Sequence, residues 1–378
     1  MQSVSCSMPI VWEEFPAKLE PLPCCSRVDK PAKRYSLTHD WVDMLMNTPQ
    51  SRVMRRIRMP CIVATLWAMV VWLVYCYFPI PGLSFKPHSL IGSALSLLLV
   101  FRTNSSYTRF WEGRKCWQRI SDSARSLSRL CMLYSDQVGE ARLQHVQRLL
   151  CAFPRVLKQH LRGGSGTTWK SALRYLTAED RQALSQAQNT PLGVCNLLSK
   201  HLVTVPDTPE HAGAMVPFSS RERLAMLHQV SQLSDCIGAC ERIVQTPVPL
   251  HYARHTCRLA TLFVFTLPMV LARELGAAVT PVVSITAWVF FGIQEIGLMI
   301  EEPFQLFTDR TANPCEILQL NAICASIQRD VEDTMRMRCA NKAQASRHAA
   351  FSQEIVRPAM VMLERRSLYK NPGEGRGI

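Results

Sequence analysis

Ser93, Leu97 and Phe101 recur at i, i+4 and i+8, a spacing that puts all three on one face of a helix. Apolar rings on such a face gate ion flow by dewetting, and a Phe ring presents a positively polarised edge to a partly dehydrated anion. The same spacing also serves ordinary helix packing. Just downstream, Arg102, Arg109, Arg114 and Lys115 can form an electropositive vestibule or can anchor a membrane surface by snorkelling. Glu295 is an ionisable residue inside an apolar run, which reads either as functional or as an interface group paired with Arg102 or Arg109. Covalent chemistry is not legible. There is no Ser-His-Asp or Cys-His arrangement, and RGGSGTT lacks the Lys of a P-loop and does not follow a strand. His251 and His255 have the spacing of a metal pair, but HYARH lacks the Glu of HExxH and has no third ligand nearby, so no metal is expected. Glu301 and Glu302 alone make a thin Ca²⁺ site.

These residues need long helices to hold them. SLIGSALSLLLV runs into FRTNSSYTRFWEGRKCW, residues 101 to 117, with no Gly or Pro between them. A membrane-grade apolar segment therefore continues into a basic, aromatic one as a single helix. Apolar runs predict membrane spans over 59–78, 89–105, 257–273 and 279–300, the second being long enough only because its helix continues into water. Trp111 and Trp117 read as structural anchors. Helical periodicity predicts a soluble helical bundle over 106–250 and 305–340, preceded by an aperiodic arm over 1–35 and an amphipathic helix over 36–58, with a tail over 341–378. No segment shows strand alternation, so the expected fold class is an all-α membrane protein. Arg52, Arg55, Arg56, Arg58, Arg109, Arg114, Lys115, Arg119, Arg254 and Arg258 all fall on the bundle side. The positive-inside rule then puts both termini and the bundle in the cytosol, or in the stroma of a chloroplast.

Composition narrows the class. Charged residues are 19% of the 378, below the usual quarter for soluble domains, and hydrophobic residues are 48%. The net charge of +14 sits beside apolar runs and comes with no zinc-finger or RNA-binding signature, which favours anionic solutes and lipid over nucleic acid. The 15 Cys form no CxxC pair and read as mostly reduced. Residues 1–20 contain no secretory h-region. Ser3, Ser5 and Ser7 fit an organelle transit peptide, whereas Glu13, Glu14 and Glu20 do not.

The segment SLIGSALSLLLVFRTNSSYTRFWEGRKCW resembles the second transmembrane helix of the bestrophin family, in its bacterial and plant branch. TPVPLHYARHT (246–256) resembles that family's approach to the third helix. IEEPF (300–304), with ILQLNAICASIQRDVED after it, resembles the end of the fourth helix and the segment beyond it. The resemblance covers about residues 45 to 340. It implies a homopentamer with four transmembrane helices per subunit and one axial pore, whose neck positions fall on Ser93, Leu97 and Phe101. It implies a passive anion channel for chloride, with bicarbonate or nitrate as further ions, in a thylakoid or other membrane. Ser93 departs from the bulky apolar residue common at its position, which implies a wider or wetter neck. QLFTDRTANPCE stands where animal members carry a run of acids that clasps Ca²⁺, so Ca²⁺ gating is not expected. Residues 190–220 carry no motif for the family's second constriction. The rival readings are a cation-selective channel of the same family, a metal-dependent membrane enzyme using His251, His255 and Glu295, and a membrane scaffold.

Overall fold

The computed structural model describes residues 42, 46, 48, 51–78, 81–163, 172–203, 220–309 and 312–338. The arm over 1–35, most of the helix expected over 36–58 and the tail over 341–378 lie outside them. In chain order the helices are α1 (Arg52–Tyr77), α2 (Phe85–Leu133), α3 (Ser135–Val138), α4 (Glu140–Leu161), α5 (Ala178–Ser185), α6 (Thr190–Val203), α7 (Ser220–Gln245), α8 (Leu250–Leu275), α9 (Val279–Glu301) and α10 (320–338). The described chain forms two compact units. The first comprises residues up to 118, 161–163 and 238–326, and the second 119–160, 172–237 and 327 onward.

In the first unit, α1 starts at Ser51, whose hydroxyl accepts the Met54 amide at 3.2 Å and satisfies one of the orphan donors of the first turn. Gly276, at φ 53°, ends α8 in a backbone conformation that an L side chain rarely adopts, and a single 3₁₀ turn leads into α9. Phe263 and Phe290 stand nearly equally far from this turn, and their ring centroids are 5.3 Å apart, so α8 and α9 form an antiparallel hairpin. The N-terminal end of α1 meets the C-terminal end of α9, where the Arg56 guanidinium bonds Glu295 at 2.8 Å. On α8, either side of Pro268, the Trp67 indole donates to the Phe265 carbonyl (2.8 Å) and the Tyr75 hydroxyl to that of Met269 (3.1 Å). These two carbonyls flank Pro268, which itself withholds a helical donor from the Val264 carbonyl. α2 runs antiparallel to α8, since His88 stacks on Phe263 at 4.1 Å and the Tyr252 hydroxyl donates to the Leu98 carbonyl at 2.9 Å. Ala64, Ala68 and Ala287 in the shared core let helix backbones approach closely, a device suited to an environment where hydrophobic force between helices is weak. Two segments, Arg52–Tyr77 and Leu250–Glu301, the latter comprising α8, the 3₁₀ turn and α9, are long and apolar enough to cross a membrane.

α2 is one unbroken helix of 49 residues, as the lack of Gly or Pro at the junction of Val100 and Phe101 predicts. At 1.5 Å per residue it is roughly 74 Å long. One expectation needs correcting. The fold is mostly helical but not all-α, because β1 (Leu306–Asp309) and β2 (Ala312–Glu316) pair antiparallel with an irregularity between Phe307 and Asp309. Strands of four and five residues are too short to show an alternating pattern, so periodicity does not reveal them. Their position is held by a partly buried ion pair. Arg162 donates to Glu316 and to the Phe304 carbonyl, each at 2.9 Å, and the other Glu316 oxygen accepts the Asn321 amide at 2.9 Å.

The second unit is helical, with Leu143, Leu149, Phe153, Leu157, Leu198 and Leu233 in its core. Arg125 bonds Asp330 at 2.7 Å, and Gln328 accepts hydrogen bonds from both Arg155 and Tyr175. Burial pushes the Cys131, Cys151 and Cys195 thiols up to about 12, which removes their thiolate chemistry at neutral pH. Cys61, Cys76, Cys131, Cys151, Cys195 and Cys257 are in the thiol form.

Candidate functional site

The first unit holds the residues singled out by spacing. On α2, Leu95, Leu99, Arg102 and Ser106 turn inward and are buried by the same chain. Ser93, Leu97 and Phe101 turn away from that core. Leu97 and Phe101 are 56% and 57% exposed, and Leu90, Val100, Tyr107 and Trp111 extend the bare surface along the helix. Ser93 does not offer its hydroxyl outward as a free donor, because Oγ donates to the Leu90 carbonyl at 2.8 Å. The three residues therefore share an exposed, largely apolar face of α2, a helix that is not itself among the segments apolar enough to cross a membrane.

The four basic residues expected beside this face separate into different environments. Arg102 is 1% exposed, and its Nε and Nη1 have no hydrogen-bond partner among the described residues. One residue past Phe101 is about 100° around the helix, which turns Arg102 from the bare face into the core. It lies over α9 at Gly297, where an added Cβ would meet Nε at 4.0 Å. Arg109 is half-buried and engaged by backbone. It donates to the carbonyls of Ile243 (2.6 Å) and Thr246 at the end of α7, and of Glu301 (3.2 Å) at the end of α9. A guanidinium at two helix C-termini satisfies orphan carbonyls and offsets the negative end of both dipoles. Among the described residues Arg114 bonds its own helix, at Gln118 (3.2 Å), and Lys115 is exposed. Arg114 and Lys115 are thus the members of the set whose charge is not tied to a carbonyl or buried in the core.

Other expectations resolve against particular partners. Glu295 pairs with Arg56 rather than with Arg102 or Arg109, because α1 brings its N-terminal Arg row to the end of α9. Arg56 was legible only as one of a cluster; its partner depended on which helices are neighbours. Glu301 is buried, accepts the Val248 amide at 3.3 Å with one oxygen, and leaves the other without a partner among the described residues. His251 and His255 are both exposed on α8, and neither belongs to a group of ligands among the described residues. Close packing beyond the bare face explains Gly113: a Cβ there would stand 3.1 Å from the Phe304 ring.

Residues 33–333 match the family described as Bacterial/Fungal Bestrophin protein. The chain belongs to the bestrophin family. Among its bestrophin relatives, it is 33% identical over 305 residues to a voltage-dependent anion channel-forming protein of Synechocystis, covering 79% of this chain and 92% of the relative. It is 28% identical over 355 residues to voltage-dependent chloride channel 1, chloroplastic, of Arabidopsis thaliana, covering 91% of this chain and 77% of that one. The fold is similar to that of a mutated bacterial bestrophin homolog from Klebsiella pneumoniae, with a TM-score of 0.63 at 24% identity over 74% of this chain and 99% of that one.

Proposed function

We propose that this bestrophin is a passive anion channel. The observation that carries the reading is the bare apolar face of α2, with Ser93, Leu97 and Phe101 exposed while the opposite face is buried in the chain's own core. Such a face within a membrane needs either lipid or another subunit against it, and a helix that continues into water fits a pore axis better than a lipid boundary. In this reading four helices cross the membrane, over 59–78, 89–105, 257–273 and 279–300, and the remaining helices, over 106–250 and 305–340, lie in the cytosol or stroma. Leu97 and Phe101 form a dry neck, and Arg114 and Lys115 concentrate anions at its mouth. Arg102 lies behind the neck as a fixed positive charge in low dielectric, where its field favours a passing anion. Chloride is the first candidate ion, with bicarbonate and nitrate next. The names of the anion-channel relatives support this reading, and the relative named chloroplastic supports a chloroplast membrane, of which the thylakoid is the one this reading takes. No catalytic step and no bound cofactor is required for permeation.

Flux through purified protein in liposomes tests selectivity. With opposed chloride and potassium gradients, the reversal potential is expected to follow chloride. Arg and Lys at the mouth act within a Debye length of roughly 8 Å at physiological salt, so selectivity should weaken as salt rises. A reversal potential that follows potassium replaces the reading by a cation channel, and a membrane that stays sealed replaces it by a scaffold.

Assembly is checked separately. Five copies around one axis would cover the bare face of α2, and native mass spectrometry in mild detergent is expected to show a pentamer. A stable monomer or dimer under those conditions counts against the shared neck.

A further inference from the structure

Three helices of the second unit bring together side chains that no sequence motif connects. His145 comes from α4, Asp180 from the first turn of α5 and His201 from the last turn of α6. His145 Nε2 stands 3.1 Å from one Asp180 carboxylate oxygen and 3.3 Å from the other. The His145 and His201 rings are 4.0 Å apart between centroids, and one potential ligand atom from each of the three residues falls within 4.8 Å of the others. Asp180 is buried, and its position is set before any ligand arrives: Thr177 and Asp180 form a capping box, in which the carboxylate accepts the Thr177 amide at 3.2 Å and the Thr177 hydroxyl accepts the Asp180 amide at 3.2 Å.

We infer that His145, Asp180 and His201 form a binding site for one divalent transition-metal ion of the Zn²⁺ type. Two imidazoles and one carboxylate suit such an ion better than Ca²⁺ or Mg²⁺, which take oxygen ligands. With bonds of about 2.0–2.1 Å, ligands at a tetrahedral centre lie roughly 3.3–3.4 Å apart. The His145–Asp180 edge already has nearly that length, so only the His201 side needs to close in. Three protein ligands leave a fourth position for water. Burial first, and then the neighbouring His145, hold the His201 pKa below its ordinary value, which favours the neutral imidazole that ligates. The charges of Lys200 and Arg142 act on His201 in the same direction, while Asp180 opposes them and supplies the negative charge a cation needs. The site does not use the residues assigned to permeation. Its metal would clamp α4, α5 and α6 to one another.

The competing account is a His145–Asp180 ion pair with a stacked His201 and no ligand. Full-length protein, stripped with chelator and titrated with Zn²⁺ by calorimetry, separates the two. Wild type is expected to bind one more Zn²⁺ per chain than His201→Ala and His145→Gln, with the thermal midpoint of wild type rising on Zn²⁺ addition and that of the variants unmoved. His251→Ala is the control and should keep the full stoichiometry. Equal Zn²⁺ stoichiometry and affinity in wild type and folded variants overturns the site. Should the variants fail to fold, X-ray absorption of Zn²⁺-loaded wild type decides. A shell of two imidazole nitrogens with carboxylate and water oxygens supports the site, and a thiolate-dominated shell or no tight binding overturns it.

Discussion

Phe101→Ala is expected to raise unit conductance or weaken gating in a channel that still assembles. The Phe101 ring is more than half exposed in the single chain, so its removal costs little of the subunit's own core. What it removes is apolar bulk from a face where a dry constriction excludes water and ions. A fall of about 1.4 kcal/mol in the barrier to entry is a tenfold change in passage rate. Leu97, one turn earlier and about 6 Å away along the helix, should act in the same direction when changed to Ala. A packing role predicts a different pattern, with lower yield and melting temperature and an unaltered unit current. Single-channel recording of both variants beside wild type tells these apart. Unchanged conductance and gating in both assembled variants would remove Leu97 and Phe101 from the pore.

Arg109→Ala is expected to be the more damaging substitution for folding. It deletes donors to three backbone carbonyls at the ends of α7 and α9. Hydrogen bonds to a charged group are each worth more than neutral ones, and the carbonyls left behind lose their partners, so the expected loss is roughly 3 to 5 kcal/mol. Arg109→Lys should fall between, because one ammonium cannot reach carbonyls on both helix ends with the geometry of a planar fork. Thermal unfolding in detergent measures the ordering wild type, Lys, Ala. A melting temperature for Arg109→Ala within a degree or two of wild type, together with reduced anion selectivity, would return Arg109 to the vestibule role that its position in the sequence suggests.

The helical frame was largely legible, and for local reasons. The continuity of α2 came from the absence of Gly or Pro where the apolar run meets the basic segment at Phe101, and the α8–α9 hairpin from a short polar turn between two apolar runs. Ser93, Leu97 and Phe101 share a face because helical spacing places them there. Periodicity failed at the β1–β2 hairpin, where four- and five-residue strands carry too little pattern to separate from a loop. It also could not distinguish Arg102 from Arg114. Both lie downstream of the same apolar run, and only the neighbour on the inner side of α2 determines which guanidinium loses its water.

Sequence alone therefore determined the family motifs, the apolar segments and the helix faces, since these depend on residue types a few positions apart. Tertiary structure decided which face of α2 is bare, that Arg109 is engaged by the ends of α7 and α9, and that Glu295 meets Arg56. It also brought together His145, Asp180 and His201 from three helices. Each of these is a contact between residues tens to hundreds of positions apart. Charge and periodicity along the chain constrain what such a residue offers, and only the packing of one helix against another selects the group that receives it.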